Sequence, residues 1–217
     1  MKLTIATCQF PVDRDISRNS NYILRQMRQS HREGAHVVHF SELALSGYAG
    51  VEFRSMKEMD WDRLSAATGR ILGEARRRKL WVILGSTHPL TGRNKPRNSL
   101  YIIDDGGRLV ERYDKMFLVG SHRGITNDLR HYSPGSHFCM FEIKGVRCGA
   151  LICHDFRYAE LYREYKMRGV ELMFHSFHNA RMSAARLRRL NIWGIIVPAT
   201  IQSYAAKNYI WISTNNS

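Results

Sequence analysis

The spacing of apolar side chains changes several times along the chain, and each change marks an element. Residues 3–8, Leu-Thr-Ile-Ala-Thr-Cys, form a short apolar run that predicts a buried strand. Ile16, Ser20, Ile23, Leu24 and Met27 then recur at helical spacing over residues 16–30, and Gly34 supplies a stop. Val37-Val38-His39-Phe40 predicts a second strand, residues 41–50 a loop, and Leu64, Ala67, Ile71 and Ala75 the apolar stripe of a helix from about Asp60. That helix ends in a basic turn ahead of a strand at residues 81–85. Strands at 98–103 and 108–113 flank Asp104-Asp105-Gly106-Gly107, a strong hairpin signal. A loop-rich stretch spans 118–135. Strands follow at 137–143 and 147–152, joined by Lys144-Gly145, then a helix from about Tyr158 and a strand at 171–174. A long helix at 184–207 and a last strand at 209–213 complete the pattern. Pro198 falls inside that long helix and is expected to kink or interrupt it. Strand-helix-strand units with added hairpins, without repeats or linkers, predict an α/β layered sandwich forming one domain over residues 1–217.

Composition narrows the class. With 217 residues, 44% hydrophobic and 24% charged, the chain matches globular averages, which excludes disordered and fibrous classes. It contains no run of 18 apolar residues, so no membrane partner is expected. The opening MKLTIATCQFPVD reads as a first strand and not as a signal peptide, so a cytoplasmic protein with reduced thiols is expected. The four cysteines, Cys8, Cys139, Cys148 and Cys153, match no zinc spacing, and no metal site is expected. The net charge of +14 raises the possibility of a nucleic-acid binder. Its local runs, Arg76-Arg77-Arg78-Lys79 and Arg186, Arg188, Arg189, lie on expected helices, where a solvated basic face is the ordinary explanation. No RNP-like motif, zinc finger or phosphate-binding glycine loop accompanies them, and no specific nucleic-acid partner is expected.

Three polar residues follow strand ends, where open α/β sheets place their chemistry. Glu42 follows the second strand, Lys115 follows the second arm of the hairpin, and Cys153 ends Cys148-Gly149-Ala150-Leu151-Ile152. Each alone has an ordinary structural reading: a surface carboxylate, an edge charge, a core thiol. Together they suffice for acyl transfer. A thiol needs a base, a confined carboxylate can serve as one, and an ammonium stabilises both thiolate and oxyanion. The turn after Cys153 would add backbone N–H donors where the oxyanion forms. Cys153-His154-Asp155 is contiguous and therefore no Cys-His-Asp triad, because neighbouring side chains diverge. His154 reads first as a turn residue.

In five ordered blocks the sequence resembles the nitrilase superfamily of carbon–nitrogen hydrolases. Ala6-Thr7-Cys8-Gln9-Phe10 is similar to its opening strand, and Phe40-Ser41-Glu42-Leu43-Ala44-Leu45-Ser46-Gly47-Tyr48 to the block carrying the base. Tyr113-Asp114-Lys115 is similar to the lysine block, Tyr132-Ser133-Pro134-Gly135 to the Y-x-P-G that follows it, and the run from Gly149 through Cys153-His154-Asp155-Phe156-Arg157 to Leu161 to the nucleophile block. The resemblance implies an α-β-β-α sandwich, Cys153 as nucleophile, Glu42 as base, Lys115 as oxyanion stabiliser, and Asp155 and Arg157 as structural supports of the turn. It also implies hydrolysis of a small-molecule amide or carbamoyl-amine without cofactor, by a homo-oligomer, with the amidase-like branches closer than true nitrilases.

Departures from the family pattern sharpen these expectations. Many members carry a second active-site Glu three residues before the Tyr of Y-x-P-G; here that position is Leu129, with Asp128 one residue earlier as a possible substitute. Phe-Pro of the nucleophile block is Tyr158-Ala159. The segment where members place substrate contacts reads Phe174-His175-Ser176-Phe177-His178-Asn179. Asp128, His154, His175 and His178 are accordingly the candidate substrate-binding residues. The chain stops at Ser217, where members continue into a hairpin and tail, so either the sequence is truncated there or this member lacks that edge. A nitrilase-like assembly or binding subunit without catalysis is the alternative reading, and a basic nucleic-acid binder a third.

Overall fold

The computed structural model describes residues 2–120, 127–179 and 192–217. Its strands form two sheets, each built from one continuous half of the chain. The first contains β1 (Ile5–Cys8), β2 (Val37–Phe40), β3 (Trp81–His88), β4 (Arg97–Ile103) and β5 (Leu109–Asp114), side by side in that order. β1, β2 and β3 pair in parallel, and β4 and β5 continue the sheet antiparallel. The second contains β6 (Met140–Ile143), β7 (Val146–Ile152), β8 (Leu172–Ser176) and β9 (Trp211–Asn215), with β6 antiparallel to β7 and the rest parallel.

Alternation along the strands of the first sheet explains the layering. Val37, Ile83, Leu100 and Ile102 face the second sheet and join its core. Their neighbours Val38, Val82, Leu84, Tyr101 and Ile103 face outward and pack under two helices, α1 (Ile16–Arg32) and α2 (Trp61–Arg78). Asp15 caps α1 by accepting from the Ser17 amide at 2.9 Å, and Asp60 caps α2 by accepting from the Arg63 amide at 2.9 Å. Arg76, Arg77 and Arg78 lie in the last turn of α2, where cations suit the helix dipole. Beyond the second sheet lie α4 (Ala159–Met167) and α5 (Ile192–Asn208), which complete the α-β-β-α order. The short α3 (Asp128–His131) interrupts the loop-rich middle.

Elements agree with the hydrophobic pattern in kind and differ at their ends. β3 runs three residues past the expected end at Gly85, because Ser86, Thr87 and His88 keep pairing with β4. Lys144 and Gly145 both take left-handed φ, 49° and 77°, the conformation of a two-residue hairpin turn. Pro198 lies inside α5 and does not end it. It stands in the second turn, where its missing N–H forfeits a single helical bond to the Gly194 carbonyl. Residues 184–191 of the expected long helix, with Arg186, Arg188 and Arg189, lie outside the described residues. Among the described residues no helix is long and apolar enough to cross a membrane.

One polar cluster crosses the otherwise apolar space between the sheets. His39, at an inward-facing position of β2, is fully buried and contacts Ser176 Oγ of β8 at 2.9 Å and Ser213 Oγ of β9 at 3.0 Å. Ser176 donates to the Phe40 carbonyl at 2.9 Å, so toward His39 it can only accept, which places the ring proton on Nε2. Asn215 donates to the His39 carbonyl at 2.7 Å. Burial lowers the His39 pKa to about 3, so the imidazole is a neutral bridge.

Candidate active site

Glu42 sits just past β2, where the chain turns across the first sheet. An added Cβ on Gly85 would overlap the Ser41 carbonyl and the Leu43 amide, so only glycine lets this loop lie against β3. Leu45 donates to the Gly85 carbonyl at 3.0 Å and Glu42 to the Phe177 carbonyl at 3.3 Å, which joins the loop to the end of the second sheet. The carboxylate itself is fully buried. Its Oε1 accepts from Asn98 Nδ2 and Lys115 Nζ, both at 2.8 Å, while Oε2 has no hydrogen-bond partner among the described residues.

Lys115 follows β5 and is also fully buried. Its ammonium donates to Glu42, to Asp128 Oδ2 at 2.9 Å and, more weakly, to Tyr48 Oη at 3.4 Å. Burial works to lower its pKa, but Glu42, Tyr48 and Asp128 together outweigh burial and hold it well above the ordinary lysine value. Asp128, the first residue of α3, accepts in addition from the Tyr48 hydroxyl at 2.6 Å and the Val119 amide at 2.9 Å. Burial keeps Tyr48 protonated and therefore a donor. Lys115 fills the space between two carboxylates that a bound cation would otherwise take. Among the described residues no group of three His, Cys, Asp or Glu is arranged to hold a metal.

Cys153 opens a tight 3₁₀ turn, Cys153–Arg157, directly after β7. Its φ is 42°, a left-handed conformation unusual for a side chain of this kind. The Asp155 carboxylate holds the turn by accepting from the Ile152 amide at 3.1 Å, the Phe117 amide at 2.9 Å and the Tyr113 hydroxyl at 2.8 Å. That ties the end of β7 to the segment carrying Lys115. Burial raises the Asp155 pKa to about 6 against those donors. On the other side of the turn, His175 Nε2 lies 3.2 Å from the Cys153 carbonyl. Burial, then the Glu42 charge, raises the pKa of the Cys153 thiol, while Lys115 and the His178 backbone amide oppose them. The resting sulfur therefore carries its proton, and the charges of the buried Glu42 carboxylate and Lys115 ammonium both bear on it.

Beside the thiol lies a cleft of about 920 Å³, with Tyr48, Cys153, His154, Phe177, His178 and Asn179 among its walls. Two of the four expected substrate contacts, His154 and His178, are thus on the wall. His178 Nε2 lies 3.3 Å from Glu52 Oε1, its Nδ1 2.6 Å from Ser217 Oγ, and its ring stands edge-on to Tyr48. Asp128 points instead at Lys115 and is 1% exposed. The expectation for His175 needs correction. Strand alternation buries it completely inside β8, and both ring nitrogens are used, one on Cys153 and the other 2.9 Å from the Tyr162 hydroxyl. Asn98 and Tyr48, which grip Glu42 and Asp128, were not singled out as site residues. The signal available for Asn98 was an amide within the apolar strand Asn-Ser-Leu-Tyr-Ile-Ile.

Comparison with known proteins identifies the family. The family model described as carbon-nitrogen hydrolase matches residues 4–216. The chain is 26% identical over 178 residues to a 2-oxoglutaramate amidase of Bacillus subtilis, covering 81% of this chain and 65% of the relative. It is 25% identical over 174 residues to the omega-amidase NIT2 of Bos taurus, covering 79% and 62%. It therefore spans somewhat less than two thirds of the length of these relatives. The NitN amidase from Neterenkonia sp. AN1 superposes with a TM-score of 0.82 at 22% identity, covering 99% of this chain and 78% of that one. The fold, the five ordered sequence blocks and the match across nearly the whole length place this chain in the carbon-nitrogen hydrolase family.

Proposed function

We propose that this chain hydrolyses the carbon–nitrogen bond of a small amide through a thioester on Cys153. The observation that carries the reading is the buried Glu42–Lys115–Asp128 chain beside a thiol on a strained turn, with Glu42 Oε2 left without a partner. In this reading Cys153 Sγ attacks the substrate carbonyl carbon while Glu42 Oε2 takes the thiol proton. Lys115 and the amides of the turn stabilise the oxyanion. Glu42 then passes the proton to the departing nitrogen, and ammonia or an amine leaves. Water, deprotonated by Glu42, attacks the thioester and releases the carboxylic acid, returning the proton to sulfur. Asp128 takes the place of a second glutamate by fixing the ammonium from the side opposite Glu42.

Two similarities support the choice of amides. The curated relatives named above are amidases, and a mutant of the Nesterenkonia sp. AN1 amidase shows covalent addition of the acetamide moiety of fluoroacetamide at its active site cysteine. The reading includes a homo-oligomer, supported by the exposed Trp211 at the start of β9 and Tyr209 just before it. The decisive experiment measures ammonia released from a panel of small amides, with intact-mass detection of the acyl-enzyme. Wild type is expected to release ammonia and Cys153→Ala to release none and to acquire no mass. Absence of ammonia from every amide, or release that survives in Cys153→Ala, would sink the reading.

A further inference from the structure

We propose that His175 is a positioning residue for Cys153: its Nε2–H holds the Cys153 carbonyl, and Tyr162 holds the ring in the tautomer that lets it do so. The inference rests on the reading of Cys153 as the nucleophile. A carbonyl oxygen can only accept, so the 3.2 Å contact to Cys153 requires the proton on Nε2. Nδ1 is then an acceptor, and the Tyr162 hydroxyl at 2.9 Å is its donor. Burial raises the Tyr162 pKa and lowers that of His175 to about 3, which keeps the first a donor and the second neutral. The ring is further fixed by stacking on Phe177, with centroids 4.4 Å apart and planes 21° from parallel.

Two physical consequences make this contact more than core packing. A non-glycine residue at φ 42° persists only when its surroundings over-determine it. Asp155 fixes the Leu151–Ile152 peptide, one removed from Cys153 on its N-terminal side, through the Ile152 amide, and His175 fixes the Cys153–His154 peptide through its carbonyl. Within one trans peptide the C=O and N–H point in opposite directions. Holding the Cys153 carbonyl therefore also sets the direction of the His154 N–H, a donor of the turn. His175 also lies on the strand that runs on into Phe177, whose carbonyl accepts from Glu42, and His178, whose amide faces the thiol. One imidazole thus sets the sulfur and its backbone donors relative to the base.

The test compares His175→Leu, His175→Gln and Tyr162→Phe with wild type by two readouts. These are amide turnover, and the rate at which iodoacetamide alkylates Cys153, followed by peptide mass spectrometry. Glutamine keeps an N–H able to reach the carbonyl; leucine does not. For folded variants, His175→Leu and Tyr162→Phe should lower kcat on the order of tenfold to a hundredfold, with KM within about twofold. His175→Gln should recover most of the loss, and Cys153 alkylation should follow the same order. A raised KM at unchanged kcat would mark a residue of the cleft wall, and equal impairment of Gln and Leu would mark simple packing; either overturns the proposal. If wild type releases no ammonia, the amidase reading fails by itself, and alkylation decides: slowed in His175→Leu and restored in His175→Gln supports the assignment, equal rates overturn it. If His175→Leu does not fold, Tyr162→Phe carries the test in the same terms.

Discussion

A lysine taken out of water without a counter-charge gives up its proton, and a carboxylate treated the same way acquires one. Lys115 and its two carboxylates avoid both outcomes by being buried together, with Tyr48 donating to Asp128 and Asn98 to Glu42 Oε1 as well. Removing the centre of such a group is worse than removing an edge. Lys115→Met should destabilise the protein by about 3–5 kcal/mol, because two carboxylates are left buried against each other. Urea denaturation at neutral pH measures this, and a loss below about 1 kcal/mol would mean that water already reaches the group. Glu42, Lys115 and Cys153, the residues that the proposed chemistry uses, are marked in the sequence by motif order. Their clamps are not. Asn98, Tyr162 and His175 act through partners 13 to 56 positions away, and such pairings exist only once strands have registered.

Elements decide how closely those residues can approach. Gly85 is a residue of β3, yet its role belongs to the neighbouring loop, which passes over it with no room for a methyl group. Gly85→Ala should cost about 1–3 kcal/mol and displace the base, so that amide turnover falls further than stability alone explains. Thermal melting and turnover measured on the same preparation check this; a variant with unchanged turnover would show that the loop can yield. The strands themselves were readable as short apolar runs, because in β2, β3 and β4 both faces are buried and adjacent residues divide between two cores. Ends were less readable. β3 continues through Ser86, Thr87 and His88 because β4 offers partners there, although the side chains carry no strand-like pattern. Nor does the pattern separate a histidine that faces a cleft from one that faces a core, since His175 and His178 differ by three positions.

At the scale of the molecule, two buried imidazoles make the fold sensitive to acid, His39 between the sheets and His175 between β8 and α4. His39 and His175 both have pKa values lowered to about 3 by burial, so the unfolded chain binds protons below its ordinary histidine pKa while the native chain does not. Their contribution is complete above that pKa and is lost as pH falls, about 3 kcal/mol for the pair between pH 7.5 and 5.5. Asp155, raised to about 6, works in the other direction. Its native form takes up a proton over the same interval and returns about 1 kcal/mol. The net expectation is about 2 kcal/mol less stability at pH 5.5 than at 7.5, read from urea midpoints; stability that rises on acidification would contradict it. The net charge of +14, prominent in the composition, says nothing of the Glu42–Lys115–Asp128 cluster, whose charges are internal. The apolar surface at Trp211 says more about assembly. Light scattering should give a mass above the 25.2 kDa of one chain, lowered by Trp211→Glu; a monomer in both would remove the case for association through that surface.

Each sheet is drawn from one uninterrupted half of the chain, and this has a consequence for synthesis. A ribosome that has released the first half has delivered the carboxylate and the ammonium without a sulfur to act on. The second half brings the thiol, on a turn whose fastening to Tyr113 and Phe117 waits for contact with the first. On the proposed chemistry, reactivity is withheld until the two halves close on each other, and the nascent thiol passes through the interval before closure as an ordinary cysteine.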